Sequence, residues 1–196
     1  EPLQLLSTMG INPSQTGGMA STHLKLFFIL QRNLQWKDIQ VWAHSRLKNF
    51  SMTRAYKGKG VTNGQLDLRV DKRGLDVSGT GVLERIPATI NWRENFIDTS
   101  DFRSRYIIQA AVDDLEYIRE LDVQIGTLFR DLVSGEIKAK LQFTVLDEVD
   151  SRLRITADLT DTVLSAPAFG WSKAKGIGGR GELILNMANN QIVGAP

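Results

Sequence analysis

The sequence predicts a mainly β protein: a long curved antiparallel sheet of repeated hairpins and meanders, with one short helix. A β-sandwich is the alternative architecture. Three observations favour strands in this arrangement: strict alternation of apolar and polar residues, dense turn signals between the alternating segments, and an internal repeat. Alternation has the period of a strand with one dry and one wet face, whereas strands buried on both faces are continuously apolar.

The alternation is clearest after Gly135. Its apolar set is Ile137, Ala139, Leu141, Phe143 and Val145, and a polar residue separates each from the next. After a charged segment at 147–150 the pattern resumes with Leu153, Ile155, Ala157 and Leu159. Two such segments joined by a short polar turn predict a long hairpin.

Similar alternation marks the rest of the chain. The segments are Leu24, Leu26, Phe28; Leu66, Leu68, Val70; Leu75, Val77 and onward to Leu83; Ile86 to Trp92; Tyr106 to Val112; and Leu183, Leu185, Met187. Turns are predicted at Asn63-Gly64 and at Lys72-Arg73-Gly74, each between two alternating segments. One helix is predicted from about Asp113 to Leu121, because an aspartate there can cap its first turn.

An internal repeat relates two parts of the chain. The segment Gly18 to Val70 aligns with Gly135 to Met187 at a shift of about 116 residues that drifts through the loops. Leu24 and Leu26 then correspond to Leu141 and Phe143. We therefore expect one β-groove segment of a larger protein over residues 1–196, made of two approximate repeats at about 18–112 and 113–187, in which neighbouring repeats lean on each other.

Composition excludes several function classes. The chain has 42% hydrophobic and 23% charged residues, as ordinary globular proteins do. Its 24 basic and 22 acidic residues are interspersed, so no block of one sign offers a track for nucleic acid. Without cysteine there are no disulfides, thiolate zinc sites or thiol nucleophiles. No signal peptide or membrane-spanning run is evident, so we expect both ends to be cut from a longer chain that carries any anchor.

Catalytic signals are equally scarce. The two histidines, His23 and His44, fall on the polar side of predicted strands, and no His, Asp and Glu set has metal-ligand spacing. The glycine-rich run at 176–181 opens a strand, whereas a phosphate cradle must open a helix. The lysines at 57, 59, 173 and 175 are interpreted as solvated loop charges, with contact to lipid head groups as the functional alternative. The sequence thus predicts a protein that is not an enzyme and needs no cofactor or metal.

Several segments carry a resemblance to a known family. They are Ala88 to Phe96 (ATINWRENF), Arg105, Leu132-Val133-Ser134-Gly135, Ala157-Asp158-Leu159-Thr160, and Pro167 to Gly176 (PAFGWSKAKG). With them the chain resembles the AsmA-like superfamily, and within it the YhdP- and TamB-type bridge-like lipid transfer proteins, most of all alphaproteobacterial relatives of YhdP. The similarity is good over residues 60–187 and looser before them.

This resemblance implies that the curved sheet is a β-taco groove of the repeating β-groove type. It also implies lipid transport along this hydrophobic β-groove through the periplasm, between the inner and outer membranes. The chain would be the periplasmic part of an inner-membrane-anchored envelope protein. Its implied partners are a phospholipid or other acyl-chain ligand, neighbouring repeats, and membrane proteins at either membrane. The alternative function is a non-catalytic β-sandwich scaffold or adhesion module. The residues expected to line the groove are Leu24, Leu26, Phe28, Leu66, Leu68, Val70, Leu75, Val77, Ile137, Leu141, Phe143, Val145, Leu153, Ile155, Leu183 and Leu185.

Overall fold

The fold is a long antiparallel sheet accompanied by a much smaller one. The computed structural model describes residues 13–35, 38–56, 59–97, 100–113, 132–189 and 191–194. Its strands are β1 (Thr16–Phe27), β2 (Gln40–Tyr56), β3 (Lys59–Asp71), β4 (Gly74–Leu83), β5 (Ile86–Asn95), β6 (Ser104–Val112), β7 (Val133–Gly135), β8 (Ile137–Val145), β9 (Asp150–Asp158), β10 (Thr162–Ala166), β11 (Trp171–Lys173), β12 (Arg180–Ala188) and β13 (Gln191–Gly194).

Ten strands form one open sheet in the order β1-β2-β3-β4-β5-β6-β8-β9-β12-β13, and every pairing in it is antiparallel. The order follows the chain, interrupted only by β7, β10 and β11, which form a separate three-stranded antiparallel sheet. The predicted long meander sheet is confirmed. The architecture is not the sandwich alternative, because the second sheet has only three strands of three to five residues.

Local turn chemistry explains one tight connection. Between β3 and β4 only Lys72 and Arg73 separate the paired residues Asp71 and Gly74. The Asp71 Oδ1 atom accepts hydrogen bonds from the backbone N–H groups of Arg73 at 2.7 Å and Gly74 at 3.2 Å. The turn predicted here is confirmed, and an aspartate that satisfies its own backbone stabilises it.

The turn predicted at Asn63-Gly64 is wrong. Both residues lie inside β3, where the pairing registers with β2 and β4 shift as at a β-bulge. Asn63 adopts φ 54°, and a Cβ on Gly64 would lie 2.9 Å from the Cβ of Phe50. The same residue types that favour a hairpin turn therefore serve a bulge, which also needs a positive φ and close backbone approach.

The predicted helix from Asp113 to Leu121 lies outside the described residues, apart from Asp113, which follows β6. The described helical turns include two short 3-10 segments, at Pro13–Gln15 and Pro167–Phe169. Among the described residues, no helix is both long and apolar enough to cross a membrane.

The segments matched by the repeat belong to the same sheet. The β1–β2 and β8–β9 hairpins are each followed in the sheet by a third strand, β3 and β12 respectively. The sequence alignment matches Leu24 with Leu141 and Ala43 with Ala157. In the structure Leu24 pairs with Ala43, whereas Leu141 pairs with Ile155, so the registers of the two hairpins differ by two residues. The shared strand order agrees with the two approximate repeats, and the repeat itself stays a prediction.

Candidate functional site

Strand register assigns most of the predicted lining residues to one face of the ten-stranded sheet. In an antiparallel pair, directly opposed residues project to the same side, so a chain of partners can be followed across all the strands. Starting at Leu24, the partners are Ala43, Val70 and Leu75. All predicted lining residues except Phe28 fall on this side, which we call the apolar face. Phe28 lies one residue beyond β1 and outside the register.

Three parallel rows of residues cross β4, β5, β6, β8, β9 and β12 on the apolar face. The small row is Gly81, Ala88, Ala110, Ala139, Ala157 and Gly181. The aliphatic row is Gly79, Ile90, Ile108, Leu141, Ile155 and Leu183. The aromatic row is Val77, Trp92, Tyr106, Phe143, Leu153 and Leu185. Each row thus brings side chains of related size together along a line that crosses six strands.

The aromatic row is ordered by ring contacts. The rings of Trp92 and Tyr106 are stacked with centroids 5.4 Å apart and an interplanar angle of 17°. Tyr106 and Phe143 follow with centroids 6.2 Å apart and an angle of 29°. Such offset aromatic pairs contribute about 0.5–1.5 kcal/mol beyond their buried area. They make a rigid band in the middle of the apolar face.

A carboxylate borders this band. Glu94 is on the apolar face in the row next to Trp92, and its Oε2 atom accepts hydrogen bonds from the Ser104 hydroxyl and the Trp92 indole N–H. Burial raises the pKa of Tyr106, and the nearby Glu94 carboxylate raises it further. Glu94 therefore places a paired negative charge at one margin of an otherwise apolar surface.

Much of the apolar face is accessible to solvent. The buried apolar side chains among the described residues are Leu75, Val77, Ile86, Val112 and Val133. The others on this face are half-buried or exposed, and the exposed ones include Leu24 at 56% and Leu183 at 46%. These two lie on β1 and β12, and the apolar members on the strands between them are half-buried or buried. A partly exposed apolar face of this extent is unusual for a protein surface and indicates a binding surface.

The opposite side, the polar face, carries charged pairs between neighbouring strands. Arg154 contacts Glu182 at 2.5 Å, and Arg93 contacts Asp76 at 2.6 Å. His44, whose ring is not on the apolar face, lies 2.6 Å from Asp67. This hydrogen bond, with help from Arg69 and Arg46, lowers the pKa of Asp67. Both histidines are on the polar face, since His23 pairs with His44.

The described recesses are also on the polar face. The larger, of about 940 Å³, is lined by side chains that alternate with the small row, including Thr89, Gln109, Lys140 and Thr156, and also by five members of the small row, from Gly81 to Ala157. The smaller, of about 300 Å³, lies between Gln142, Arg152 and Ile184 on the same face. Neither recess is lined by any of the predicted groove residues.

Three of the segments that carry the family resemblance, 132–135, 157–160 and 167–176, meet at the three-stranded sheet, whereas Ala88 to Phe96 and Arg105 belong to the large sheet. Lys173 is 7% exposed, and its Nζ atom donates to the carbonyl oxygens of Leu159 at 2.6 Å, Thr162 at 2.7 Å and Ala174 at 3.3 Å. Thr162 is fully buried, and its hydroxyl donates to the Glu136 carbonyl oxygen at 2.7 Å. We call these residues the Lys173 cluster.

Both interpretations of Lys173 drawn from the sequence, a solvated loop charge or a head-group contact, are wrong. Its ammonium is occupied by backbone carbonyl groups, and its stem packs so closely on Gly179 that a Cβ there would lie 2.8 Å from Lys173 Cε. Lys175, two residues on, is exposed. A spacing of two residues places both lysines on one face of a strand, so the sequence held no signal that only Lys173 is buried. The difference arises because β11 ends at Lys173 and Lys175 lies beyond it.

Sequence reasoning also omitted part of the apolar face. Strands β2, β5 and β6 contribute members that were not among the predicted lining residues, notably Val41, Ile90, Trp92 and Ile108. Their alternation was visible in the sequence. Within the described ranges, no group of three or more His, Cys, Asp or Glu residues is arranged to hold a metal ion.

Comparison with known proteins adds no family assignment: no protein-family model, curated protein or solved structure matches this chain. The AsmA-like resemblance stays a prediction from the quoted segments. What the chain can do must be inferred from its two faces and its small sheet.

Proposed function

We propose that this chain binds lipid acyl chains on the apolar face and serves as one segment of a lipid-conducting β-groove. The observation that carries the proposal is the apolar face, which includes exposed residues from both halves of the chain such as Leu24 and Leu183. Water contact makes such a surface unfavourable, and a hydrocarbon ligand removes that contact at about 0.8 kcal/mol per buried methylene.

The dimensions of the face suit long hydrocarbon chains. Ten strands spaced about 4.8 Å apart extend roughly 43 Å between the sheet edges. The small row alone extends roughly 24 Å across its six strands at that spacing. Its side chains are shorter than those of the aliphatic row beside it. A linear alkyl chain lying along the small row can therefore contact the small row beneath it and the aliphatic row at its side.

The repetition across strands supports transport as well as storage. Contacts in the aliphatic row are similar from Ile90 to Leu183, so an acyl chain that shifts sideways by one strand exchanges one set of apolar contacts for a similar set. A lipid in that position keeps its tails dry while its head group stays in water. In a longer groove built of such segments, this would move phospholipid through the periplasm between the two membranes.

Binding of a fluorescent acyl-chain probe to the purified chain tests the proposal. Leu183→Asp places a charge on the exposed part of the apolar face, where a buried unpaired charge is strongly unfavourable. We expect it to weaken probe binding at least tenfold. Ile184→Asp is the matched control, because the same substitution one residue on faces the opposite side, and we expect its probe affinity to stay within twofold of the unsubstituted chain, a change below about 0.5 kcal/mol.

Thermal unfolding of the same variants separates the alternatives. If Leu183→Asp binds the probe as well as Ile184→Asp does, the apolar face is not the acyl-chain site. If Leu183→Asp instead unfolds the protein while Ile184→Asp does not, the face is covered in solution, as the scaffold or adhesion function requires.

A further inference from the structure

The turn between β10 and β11 exposes two aromatic side chains. Phe169 is 87% exposed and Trp171 is 53% exposed, and Ile177 nearby in the sequence is also exposed. Together with the residues between them, Pro167 to Gly178 form what we call the aromatic tip. We propose that the aromatic tip docks onto the surface of an anionic lipid bilayer.

The aromatic tip has the side chains that favour a membrane interface. Tryptophan and phenylalanine are amphipathic or apolar rings that partition to the level of lipid head groups, and a folded protein gains nothing by presenting them to water. A disordered loop could expose such residues by chance, but Phe169 is held in a defined 3-10 turn. Gly170 closes that turn at φ 62°, and its N–H donates to the Pro167 carbonyl oxygen at 3.0 Å.

Charge favours an anionic surface over a neutral one. Residues 162–181 contain no acidic side chain and three basic ones, Lys173, Lys175 and Arg180. Lys173 is occupied in its cluster, whereas Lys175 and Arg180 are exposed. Basic residues next to apolar ones at a surface are attracted by anionic head groups, at about 1 kcal/mol for each Lys or Arg.

The Lys173 cluster makes the aromatic tip rigid. Leu164 pairs with Lys173 and Ala166 with Trp171 across the β10–β11 hairpin. The buried ammonium then fixes the base of this hairpin to the end of β9 through Leu159 and Thr162. A pre-ordered tip loses little conformational entropy when it contacts a bilayer, which favours binding.

The location of the tip links docking to lipid binding. The small sheet lies next to the end of β9 and the beginnings of β8 and β12. These strand ends lie together at one end of the ten-stranded sheet. A bilayer at the tip would therefore lie at that end of the apolar face. Docking adds a membrane partner to the proposed function, and its relevance to lipid transfer rests on that proposed function. Docking itself can be measured whether or not the chain binds acyl chains.

Co-sedimentation with lipid vesicles tests the proposal, using vesicles of phosphatidylcholine alone and vesicles containing phosphatidylglycerol as well. We expect the chain to bind the anionic vesicles and not the neutral ones. Phe169→Ser should weaken binding at least tenfold. Lys175→Gln should weaken it about fivefold, the equivalent of about 1 kcal/mol for one basic residue. Val149→Ser is the matched control, because Val149 is an exposed apolar residue in the turn between β8 and β9, and it should bind like the unsubstituted chain.

The outcomes are distinct from those for the apolar face. Failure of the unsubstituted chain to bind anionic vesicles, or equal binding by Phe169→Ser, overturns docking even if the acyl-chain probe still binds. Loss of vesicle binding in Phe169→Ser with unchanged probe affinity supports docking by the tip. Equal losses in Phe169→Ser and Val149→Ser would show that apolar exposure in general, and not the tip, causes the binding, and would also overturn the proposal.

Discussion

Replacing Lys173 by methionine tests the Lys173 cluster most directly. Methionine keeps an unbranched apolar stem over Gly179 and removes the ammonium that donates to Leu159 and Thr162. The experiment therefore separates the hydrogen bonds of Lys173 from its packing. We expect the variant to fold with a smaller free energy of unfolding.

The magnitude follows from the contacts. Hydrogen bonds from a charged donor contribute about 1.5–3 kcal/mol each, and Lys173 makes two that are shorter than 3 Å. The Leu159 carbonyl keeps a second donor, the Thr162 N–H at 3.1 Å, so the loss falls mainly on the Thr162 carbonyl. Methionine also avoids the cost of taking an ammonium out of water. The net expectation is a loss of about 2 kcal/mol.

Urea unfolding followed by far-UV circular dichroism measures that loss, and amide hydrogen exchange shows where it acts. If the small sheet opens on its own, protection falls at β10 and β11 while β8 stays protected. Lys175→Met is the control, because Lys175 is exposed, and it should change stability by less than about 0.5 kcal/mol. Equal stabilities for Lys173→Met and Lys175→Met would refute the structural role assigned to Lys173.

Two further predictions concern acid stability and backbone packing. Hydrogen bonds from Thr160 lower the pKa of Asp158, and the hydrogen bond with His44 lowers the pKa of Asp67. Both carboxyl groups therefore have a folded-state pKa below the unfolded value of about 3.9. Their contribution to stability is present above that unfolded pKa and is lost as pH falls through the folded-state pKa. Urea unfolding at a series of acidic pH values should show this decline, and Asp158→Asn should make it shallower; an unchanged slope would contradict the assignment. Gly79→Ala should lower stability by about 2 kcal/mol or more, because its Cβ would meet the Gln65 carbonyl oxygen at 2.0 Å. Gly178→Ala, with no atom within 4 Å of the added Cβ, should be near neutral in the same assay, and similar losses for the two would contradict the packing argument.

The sequence predicts the faces of the sheet well because alternation is a local property of each strand. Leu141 and Ile155, assigned to one face from their own segments, are directly paired. The bulge at Asn63-Gly64 is not predictable in that way, since its geometry depends on Phe50 in another strand. The local pattern is the same for a turn and for a bulge.

Burial of polar groups is the other feature that sequence could not give. In the sequence Lys173 resembles a solvated loop charge. Its three acceptors are backbone carbonyl groups, which every residue has, so no residue type in the sequence indicates them. The polar-face recess next to Thr89 and Lys140 likewise depends on how the strands twist relative to one another. Function is harder still to predict from the sequence, because the pattern of apolar residues is the same whether protein or lipid covers them.

The strand order of the large sheet has a mechanical consequence. Each of β2 to β5 is hydrogen-bonded to the strand that precedes it and the strand that follows it in the chain. Tension that pulls β1 away from β2 would break their bonds in succession, leaving the pairing of β3 with β4 intact. Assembly can run the same path in reverse, with each new strand adding to the last one formed. Such local pairing favours fast formation for a β protein, and it would let the sheet grow while the chain is still being made or exported.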